Sequence, residues 1–444
     1  MGDATKAGAL PPFMAGETLM RRLVSNYHIW LWLLFVVALL LRAWDLGSQP
    51  PLDDEVLAAF SADNYVNHGI LGQVMWYHPP LRNWVLYITS SIFGGYSVWG
   101  LRFGNVFLGS LSIPLLGYCA HALFGRLRVS LLAAFFLALD PLHIALSREA
   151  FQESMTPCFI LGGVLAAIYA LKVRGWWWHY GAGLLFGLAS ASKWHGLFPW
   201  SLAAATYLVS PLWVVAAERR ESFPARALTA VAAYGALPVT VYIAVWFPWI
   251  LHGHSLADFL DFQRFLVIRQ YHHVATEDVM KHVPGRAYQW FIRPVPWNDF
   301  VFFQGKAYLN IAMGNFLVWC LTLPSLYIMC RDWLRKREFG AGFAVALFLV
   351  SYLPLVLTTR GVWVFSAPAV IPFAFMISAY AIDTLMERGV IAIRMVGWYL
   401  AAVVVVTSLM YPMSTFHALD FGYAKWIAEF YNPHPQGGSG EVVR

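Results

Sequence analysis

Long apolar runs separated by short polar segments dominate the sequence. An α-helix needs about 20 mainly apolar residues to cross the hydrocarbon core of a bilayer. Windows of that kind predict eleven transmembrane helices, near residues 28–45, 99–123, 129–146, 150–171, 177–195, 197–217, 227–251, 307–330, 340–358, 362–384 and 391–411. The pattern therefore predicts an all-α polytopic membrane protein.

Two of the connections, residues 46–98 and 252–306, are much longer than the others. Arginine and lysine recur in the alternate short connections, which the positive-inside rule assigns to the cytoplasm. With an odd number of spans, the N-terminus is predicted inside and both long connections outside. We expect one module, residues 1–411, capped by these two outer loops, and a short outer tail, residues 412–444.

Composition supports the same class, since 59% of the residues are hydrophobic and only 12% are charged. The net charge of +6 is assigned to membrane topology and not to nucleic acid, because the cations follow the predicted cytoplasmic connections. Those connections are all short. A soluble nucleotide-binding domain could not fold in them, so any activated substrate would have to come from the membrane itself.

The first outer loop carries the acidic triplet Asp53, Asp54 and Glu55, ahead of apolar residues at helical spacing from Val56 to Val66. This spacing predicts a helix lying along the membrane interface. A helix N-cap explains one acidic residue, whereas three adjacent carboxylates repel one another and need a partner. The alternative is a general base at the outer surface.

The same loop ends in His78-Pro79-Pro80-Leu81, where two prolines make the backbone rigid. A histidine there is either structural or part of the site that the acidic triplet begins. In the second outer loop, His272, His273, Glu277, Asp278 and His282 permit a divalent metal ion. Their spacing matches no specific ligand pattern, so no cofactor is assigned.

Four cations stand at the outer ends of predicted spans: Arg102, Arg148, Lys193 and Arg360. A charge at membrane depth costs about 2.5 to 3.5 kcal/mol, so such residues usually pair or line a cavity. Snorkelling of each side chain to the headgroups is the simpler alternative. Four at one face favour a bound phosphate, for which arginine provides a bidentate fork and lysine a point charge.

Six segments in order along the chain resemble the protein O-mannosyltransferases that use dolichyl-phosphate mannose. They are Asp54-Glu55, the His78 motif, "SREAFQES" at 147–154, "GLASASKWHGL" at 187–197, "MGNFLVW" at 313–319, and the segment from Arg360 through Phe365 and Pro368. More distantly, the chain resembles the bacterial lipid A aminoarabinose transferases. Both are type C glycosyltransferases, so the resemblance implies that fold.

The resemblance implies an inverting transferase that moves a sugar, mannose by family default, from a polyprenyl or dolichyl phosphate to a hydroxyl acceptor. Asp54 would be the catalytic base, Glu55 would serve the acceptor, and Arg148 and Lys193 would lie close to the lipid phosphate. Arg360 and Arg102 extend this cationic set, and His78, His282 and Glu153 are expected on the acceptor side. Many members have aspartate where this chain has Glu153.

The acceptor implied by the resemblance is serine or threonine of a protein. The second outer loop is too short for the large luminal domain of the eukaryotic enzymes, which weakens that inference and favours a prokaryotic plasma membrane with an external site. An endoplasmic reticulum membrane with a luminal site is the eukaryotic alternative. A lipid or glycan acceptor stays open, as does a lipid-phosphate transporter or flippase, and the sequence leaves the oligomeric state undetermined.

Overall fold

The computed structural model of this chain describes residues 26–48, 53–71, 78–173, 175–210, 222–272, 285–303, 306–358, 361–415 and 417–419. Within these ranges, the side chains of residues 53–54, 269–272, 297–303, 306–310 and 418–419 are not described.

The protein is a helical bundle with two groups of extramembrane elements. The first part contains α1 (Tyr27–Ala43), α2 (Asp53–His68), α3 (Leu81–Ile92), α4 (Val98–Phe124), α5 (Leu127–Ala138), α6 (Pro141–Ser147), α7 (Met155–Lys172), α8 (Trp176–Ser192) and α9 (Leu197–Val209). The second part contains α10 (Phe223–Thr229), α11 (Leu237–Ala244), α12 (Phe247–Leu251), α13 (Leu256–His272), α14 (Phe316–Trp319), α15 (Thr322–Lys336), α16 (Phe339–Leu357), α17 (Ile371–Glu387) and α18 (Ile393–Ser414). A π-helical stretch, Ala230–Ala236, joins α10 to α11.

Among the described residues, six helical stretches are long and apolar enough to cross a membrane, or seven if the bent pair α5–α6 counts as one span. The helices α8 and α17, with 17 residues each, are one residue shorter than the shortest of these stretches, and α9 has 13 residues. The predicted multi-pass membrane fold is confirmed, and the count of eleven spans stays a prediction. In three of the spans, α1, the α10–α11 stretch and α18, only 22% of the apolar stretch is buried in the protein, as expected for helices at the lipid-facing rim.

Three predicted spans begin later than expected, including the one predicted from residue 362, whose α-helix begins at Ile371 after a 3₁₀ turn, Val364–Ala369. The span predicted from residue 150 begins at Met155, because residues 148–154 form a polar loop. The span predicted from residue 307 is wrong at its start, since residues Lys306–Ala312 form a β-strand and the helices follow from Phe316. A hydropathy window counts apolar residues and does not register that they pair with another strand.

A small antiparallel sheet was not predicted. Strand β1 (Trp297–Phe303) pairs with β2 (Lys306–Ala312) in the register Trp297↔Ala312, and β2 pairs in turn with β3 (Ala418–Leu419). Backbone pairing of this kind satisfies hydrogen-bonding groups between strands within a mostly helical protein. It ties the end of the second outer loop to the chain that follows α18.

The first outer loop contains the predicted helix and a second one, α2 and α3. Tyr65 of α2 is fully buried and donates a 2.6 Å hydrogen bond to the carbonyl oxygen of Val245. Burial raises the pKa of the Tyr65 phenol, so the hydroxyl stays protonated and remains a donor. Trp84 of α3 donates to the same carbonyl at 2.9 Å. Both helices are thereby fixed against the end of α11.

Candidate active site

The start of α2 is anchored through Glu55, whose side chain is fully buried. Arg102 of α4 binds its carboxylate with two nitrogens: Nε lies 2.9 Å from Oε1 and Nη2 lies 2.5 Å from Oε2. The backbone N–H of Ala150 donates to Oε1 at 2.8 Å. This bidentate, charge-assisted geometry is the strong form of an arginine–carboxylate pair. One predicted cation is thus the partner of one predicted acid.

Residues 148–154, the loop between α6 and α7, form the centre of the site. Asn105 of α4 donates to the carbonyl oxygens of Glu149 and Phe151. Arg148 donates from Nη1 to the carbonyl oxygens of Arg42, at 2.8 Å, and Trp44, at 2.7 Å. The Arg148 side chain therefore holds the backbone where α1 ends, which is the point where the chain leaves for the acidic triplet.

At its other end, the same loop reaches Lys193, which follows α8. Lys193 Nζ lies 3.0 Å from Glu153 Oε1, and the two side chains are 7% and 6% exposed. Ser366 Oγ lies 3.5 Å from Nζ, and the centre of the Phe365 ring lies 5.2 Å from it. The loop thus connects the start of α2 to a lysine in a polar and aromatic environment.

These contacts limit the distance between the acidic and the basic part of the site. Glu55 contacts Ala150, and Lys193 contacts Glu153, three residues further along the loop. Three residues of fully extended chain span about 10 Å. One short loop therefore bridges the start of α2 and Lys193.

The structure places the predicted residues as follows. Glu55 with Arg102, and Glu153 with Lys193, form two pairs, and Arg148 binds backbone carbonyls. Asp54 lies in the first turn of α2, but its side chain is outside the described part of the chain. His78 is partly buried just before α3. Arg360 and His282 lie outside the described residues.

A metal site in the second outer loop is not tested by the structure. His273, Glu277, Asp278 and His282 are outside the described residues, as is the His272 side chain. Among the residues that are described, no three histidine, cysteine or carboxylate side chains group as metal ligands. A divalent metal ion in the second outer loop therefore stays a possibility raised by the sequence.

Sequence reasoning missed Arg42, whose side chain is completely buried below the site. Its guanidinium donates to the carbonyl oxygens of Ala138, at 3.2 Å, and Leu137, at 3.3 Å, which end helix α5. It also contacts His143 Nδ1 at 2.9 Å and Ser147 Oγ at 3.4 Å. The last carbonyls of a helix lack partners and carry partial negative charge, so Arg42 caps α5 where it breaks from α6.

Asp140 is the second buried group at this break, where α5 and α6 meet at an angle of 59°. Its carboxylate caps α6 by accepting from the N–H of His143 at 3.0 Å. It also accepts from the N–H of Asn315 at 3.1 Å and from Trp319 Nε1 at 2.7 Å. Asp140-Pro141, an N-cap followed by proline at the first helical position, was the available sequence signal for this break.

The two outer loops meet beside Lys193 in a mainly aromatic cluster, to which the first loop contributes Tyr65. Trp194 Nε1 donates to the Tyr242 hydroxyl at 3.1 Å, and that hydroxyl donates to Gln263 Oε1 of α13 at 2.7 Å. Trp246, fully buried, packs near Phe259 and Phe262 of α13. Helix α13 of the second loop is thereby fixed to the chain immediately after Lys193.

The opposite ends of the helices carry a second set of charges. Arg388 binds both oxygens of the buried Asp332, at 2.7 and 2.6 Å, and Arg126 lies 3.4 Å from Asp383. These groups stand at the end of α15, at the end of α17 and between α4 and α5. The site, in contrast, is formed at the start of α4, the end of α6 and the end of α8.

Known proteins resemble this chain in sequence. Residues 48–252 match the family model of the dolichyl-phosphate-mannose-protein mannosyltransferases. A polyprenol-phosphate-mannose–protein mannosyltransferase of Mycobacterium tuberculosis is 24% identical over 480 residues, which cover 90% of each chain.

Solved structures show the same fold. The Saccharomyces cerevisiae protein O-mannosyltransferase Pmt1-Pmt2 complex, bound to its sugar donor, matches with a TM-score of 0.71 at 11% identity, covering 91% of this chain and 92% of that one. ArnT from Cupriavidus metallidurans, bound to undecaprenyl phosphate, matches with a TM-score of 0.57 at 18% identity, covering 90% and 70%. The predicted resemblance is confirmed: this chain is a membrane glycosyltransferase of the type C fold, similar to the protein O-mannosyltransferases in sequence and in architecture.

Proposed function

We propose that this enzyme transfers mannose from a polyprenyl-phosphate donor to a serine or threonine hydroxyl of a protein, on the non-cytoplasmic face of the membrane. The names of its relatives support mannose, the lipid phosphate and the protein acceptor. One structural observation carries the assignment of the site. The 148–154 loop binds the start of α2 through Ala150 and binds Lys193 through Glu153, which supports a site shared by a base on α2 and a cation at Lys193.

Asp54 is the proposed catalytic base. A hydroxyl is a poor nucleophile at neutral pH, and a carboxylate within hydrogen-bond reach removes its proton as it attacks. Asp54 lies in the first turn of α2, immediately before Glu55. Glu55 is fixed by Arg102 and Ala150, so we assign Glu55 and Arg102 to holding the start of α2 in place.

Lys193 is the proposed ligand of the donor phosphate, with Arg360 as a second cation. A phosphate leaves readily once its charge is neutralised, so this side of the reaction needs cations more than an acid. Arg148 supports the site by fixing the end of α1. A single displacement by one base, with no carboxylate nucleophile, inverts the configuration at the anomeric carbon. His78 and His282 are proposed to line the acceptor side.

The charges at the two ends of the bundle support this orientation. Arg126, Arg331, Arg388 and their neighbours stand at the end opposite the site, and cytoplasmic connections are the ones enriched in such residues. The site therefore faces the exterior. We further propose that residues 1–411 form one transferase module, with loops 46–98 and 252–306 as its cap and residues 412–444 as an outer tail.

The experiment is a transfer reaction with purified protein in lipid nanodiscs. Polyprenyl-phosphate mannose and a serine- and threonine-containing peptide should yield mannosylated peptide and free polyprenyl phosphate in equal amounts. Replacing the peptide by a lipid acceptor tests the aminoarabinose-transferase-like alternative. Movement of the intact donor across a bilayer without release of polyprenyl phosphate would identify a transporter and refute the proposal.

A further inference from the structure

The lysine proposed to hold the phosphate is already paired with an acid. Lys193 Nζ lies 3.0 Å from Glu153 Oε1, and both side chains are more than nine-tenths buried. Its other recorded contacts, Ser366 Oγ and the ring of Phe365, are uncharged. The two charges of this pair nearly cancel. Any anion that Lys193 binds therefore also meets the negative charge of Glu153.

Glu153 is also incompletely satisfied. Among the buried side chains that the structure describes, two carboxylate oxygens accept no hydrogen bond, Glu153 Oε2 and Asp383 Oδ1. Arg128 Nε lies 3.1 Å from Asp383 Oδ1, whereas Lys193 is the one described cation that pairs with Glu153, and it does so through Oε1. An unsatisfied buried group costs free energy, and such groups in native structures call for an explanation. If the only role of Glu153 were to pair with Lys193, a partner with all its oxygens hydrogen-bonded would fill that role at a lower cost in free energy.

The reaction itself changes the charge on the phosphate, and this inference rests on the proposed function. The bond between the anomeric carbon and the phosphate oxygen breaks, and its electron pair stays on that oxygen. The acceptor oxygen bonds to the carbon, and its proton passes to Asp54. The donor is a phosphodiester with one negative charge, whereas the product is a phosphomonoester with about 1.5 to 2 negative charges at pH 7.

We propose that Glu153 sets the charge of the donor site so that the lipid phosphate product does not bind much more tightly than the donor. A lone buried lysine attracts an anion in proportion to the anion's charge, so it would favour the doubly charged product. The adjacent carboxylate repels the product in the same proportion and cancels most of that advantage. Glu153 thereby acts as a specificity residue for the charge of the phosphate and promotes product release.

The test compares two lipids that differ by this one charge, polyprenyl phosphate and its methyl phosphodiester. Their dissociation constants are measured in nanodiscs by displacement of a fluorescent polyprenyl phosphate. Because Arg360 is the second proposed cation, the parent should bind the monoester more tightly than the diester, but by less than about tenfold. Glu153→Gln, which keeps the shape and removes the charge, should bind the monoester about tenfold more tightly relative to the diester. It should also raise product inhibition of transfer by a similar factor.

Two variants serve as controls. Glu153→Asp retains the charge and should keep the parental ratio of the two dissociation constants. Asp383→Asn removes a buried, ion-paired carboxylate at the opposite end of the bundle and should also keep that ratio. A ratio in Glu153→Gln equal to that of the parent would overturn the inference.

The parent alone provides a second check that does not depend on the folding of a variant. If the parent binds the monoester more than about tenfold more tightly than the diester, the carboxylate does not offset the lysine and the inference is wrong. Binding is measured without turnover, so a protein that shows the expected ratios but transfers no sugar would contradict the proposed function and not the role of Glu153.

Discussion

The pair of Glu55 and Arg102 provides the sharpest test of how the base is positioned. We predict that replacing either residue, by Glu55→Gln or Arg102→Met, lowers both the stability and the turnover of the enzyme. The two side chains are 0% and 3% exposed, so water does not replace a lost partner. Because Glu55 directly follows position 54, loosening it displaces the proposed base.

The magnitude follows from the contacts. Glu55 accepts three hydrogen bonds, from Arg102 Nε, Arg102 Nη2 and the Ala150 N–H. Removing one partner of a buried ion pair costs about 3 to 5 kcal/mol, because the other charge is left uncompensated. The double variant removes both charges, so its loss of stability should be smaller than the sum of the losses in the two single variants. We expect a coupling energy of at least about 1.5 kcal/mol.

The assay is a double-mutant cycle on unfolding in detergent, with the turnover number measured on the same four proteins. The exposed pair Lys336 and Glu338, 3.6 Å apart and 47% and 39% exposed, serves as the matched control. Its coupling should not exceed about 1 kcal/mol. Additive effects at Glu55 and Arg102, or single variants that unfold like the parent, would refute the reasoning.

Three further outcomes are expected. Asp54→Asn should bind the donor like the parent and transfer sugar about 10² to 10⁴-fold more slowly, measured as turnover and donor affinity separately. Lys193→Met should weaken donor binding by about 10-fold or more in the same assay, because a charge-assisted contact to phosphate is lost. Arg42→Met should cost about 3 kcal/mol or more of stability, measured by thermal unfolding, because the carbonyls that end α5 lose their donor; an unchanged midpoint would show that Arg42 does not cap this helix.

The membrane fold was predictable because its signal is physical and repeated. An apolar run long enough to cross the bilayer has few alternative structures, since lipid offers no partners to an unpaired backbone. The same method failed at β2, where the apolar residues before Phe316 pair with another strand. It also missed the break after Ala138, because Asp140 interrupts a run whose mean hydropathy remains high.

The candidate site was predictable as a set of residues and not as a set of contacts. Glu55, Arg102, Glu153 and Lys193 were all identified from motifs and from their depth in predicted spans. Their pairing, Glu55 with Arg102 and Glu153 with Lys193, joins residues 47 and 40 positions apart, which no local pattern specifies. Arg148 was expected at the phosphate, but its contacts are with backbone carbonyls, a partner type that the sequence does not reveal.

The break between α5 and α6 explains how charges are accommodated below the site. A continuous helix would bond the carbonyls of Leu137 and Ala138 internally, and the Arg42 guanidinium would lose these two acceptors. The break frees those carbonyls for Arg42 and frees the N–H of His143 for Asp140. Each charge also faces the helix end of opposite sign, the arginine at the end of α5 and the aspartate at the start of α6. The break therefore stabilises two buried charges without a direct ion pair between them, and it ends α6 at Arg148, where the loop that joins Glu55 to Lys193 begins.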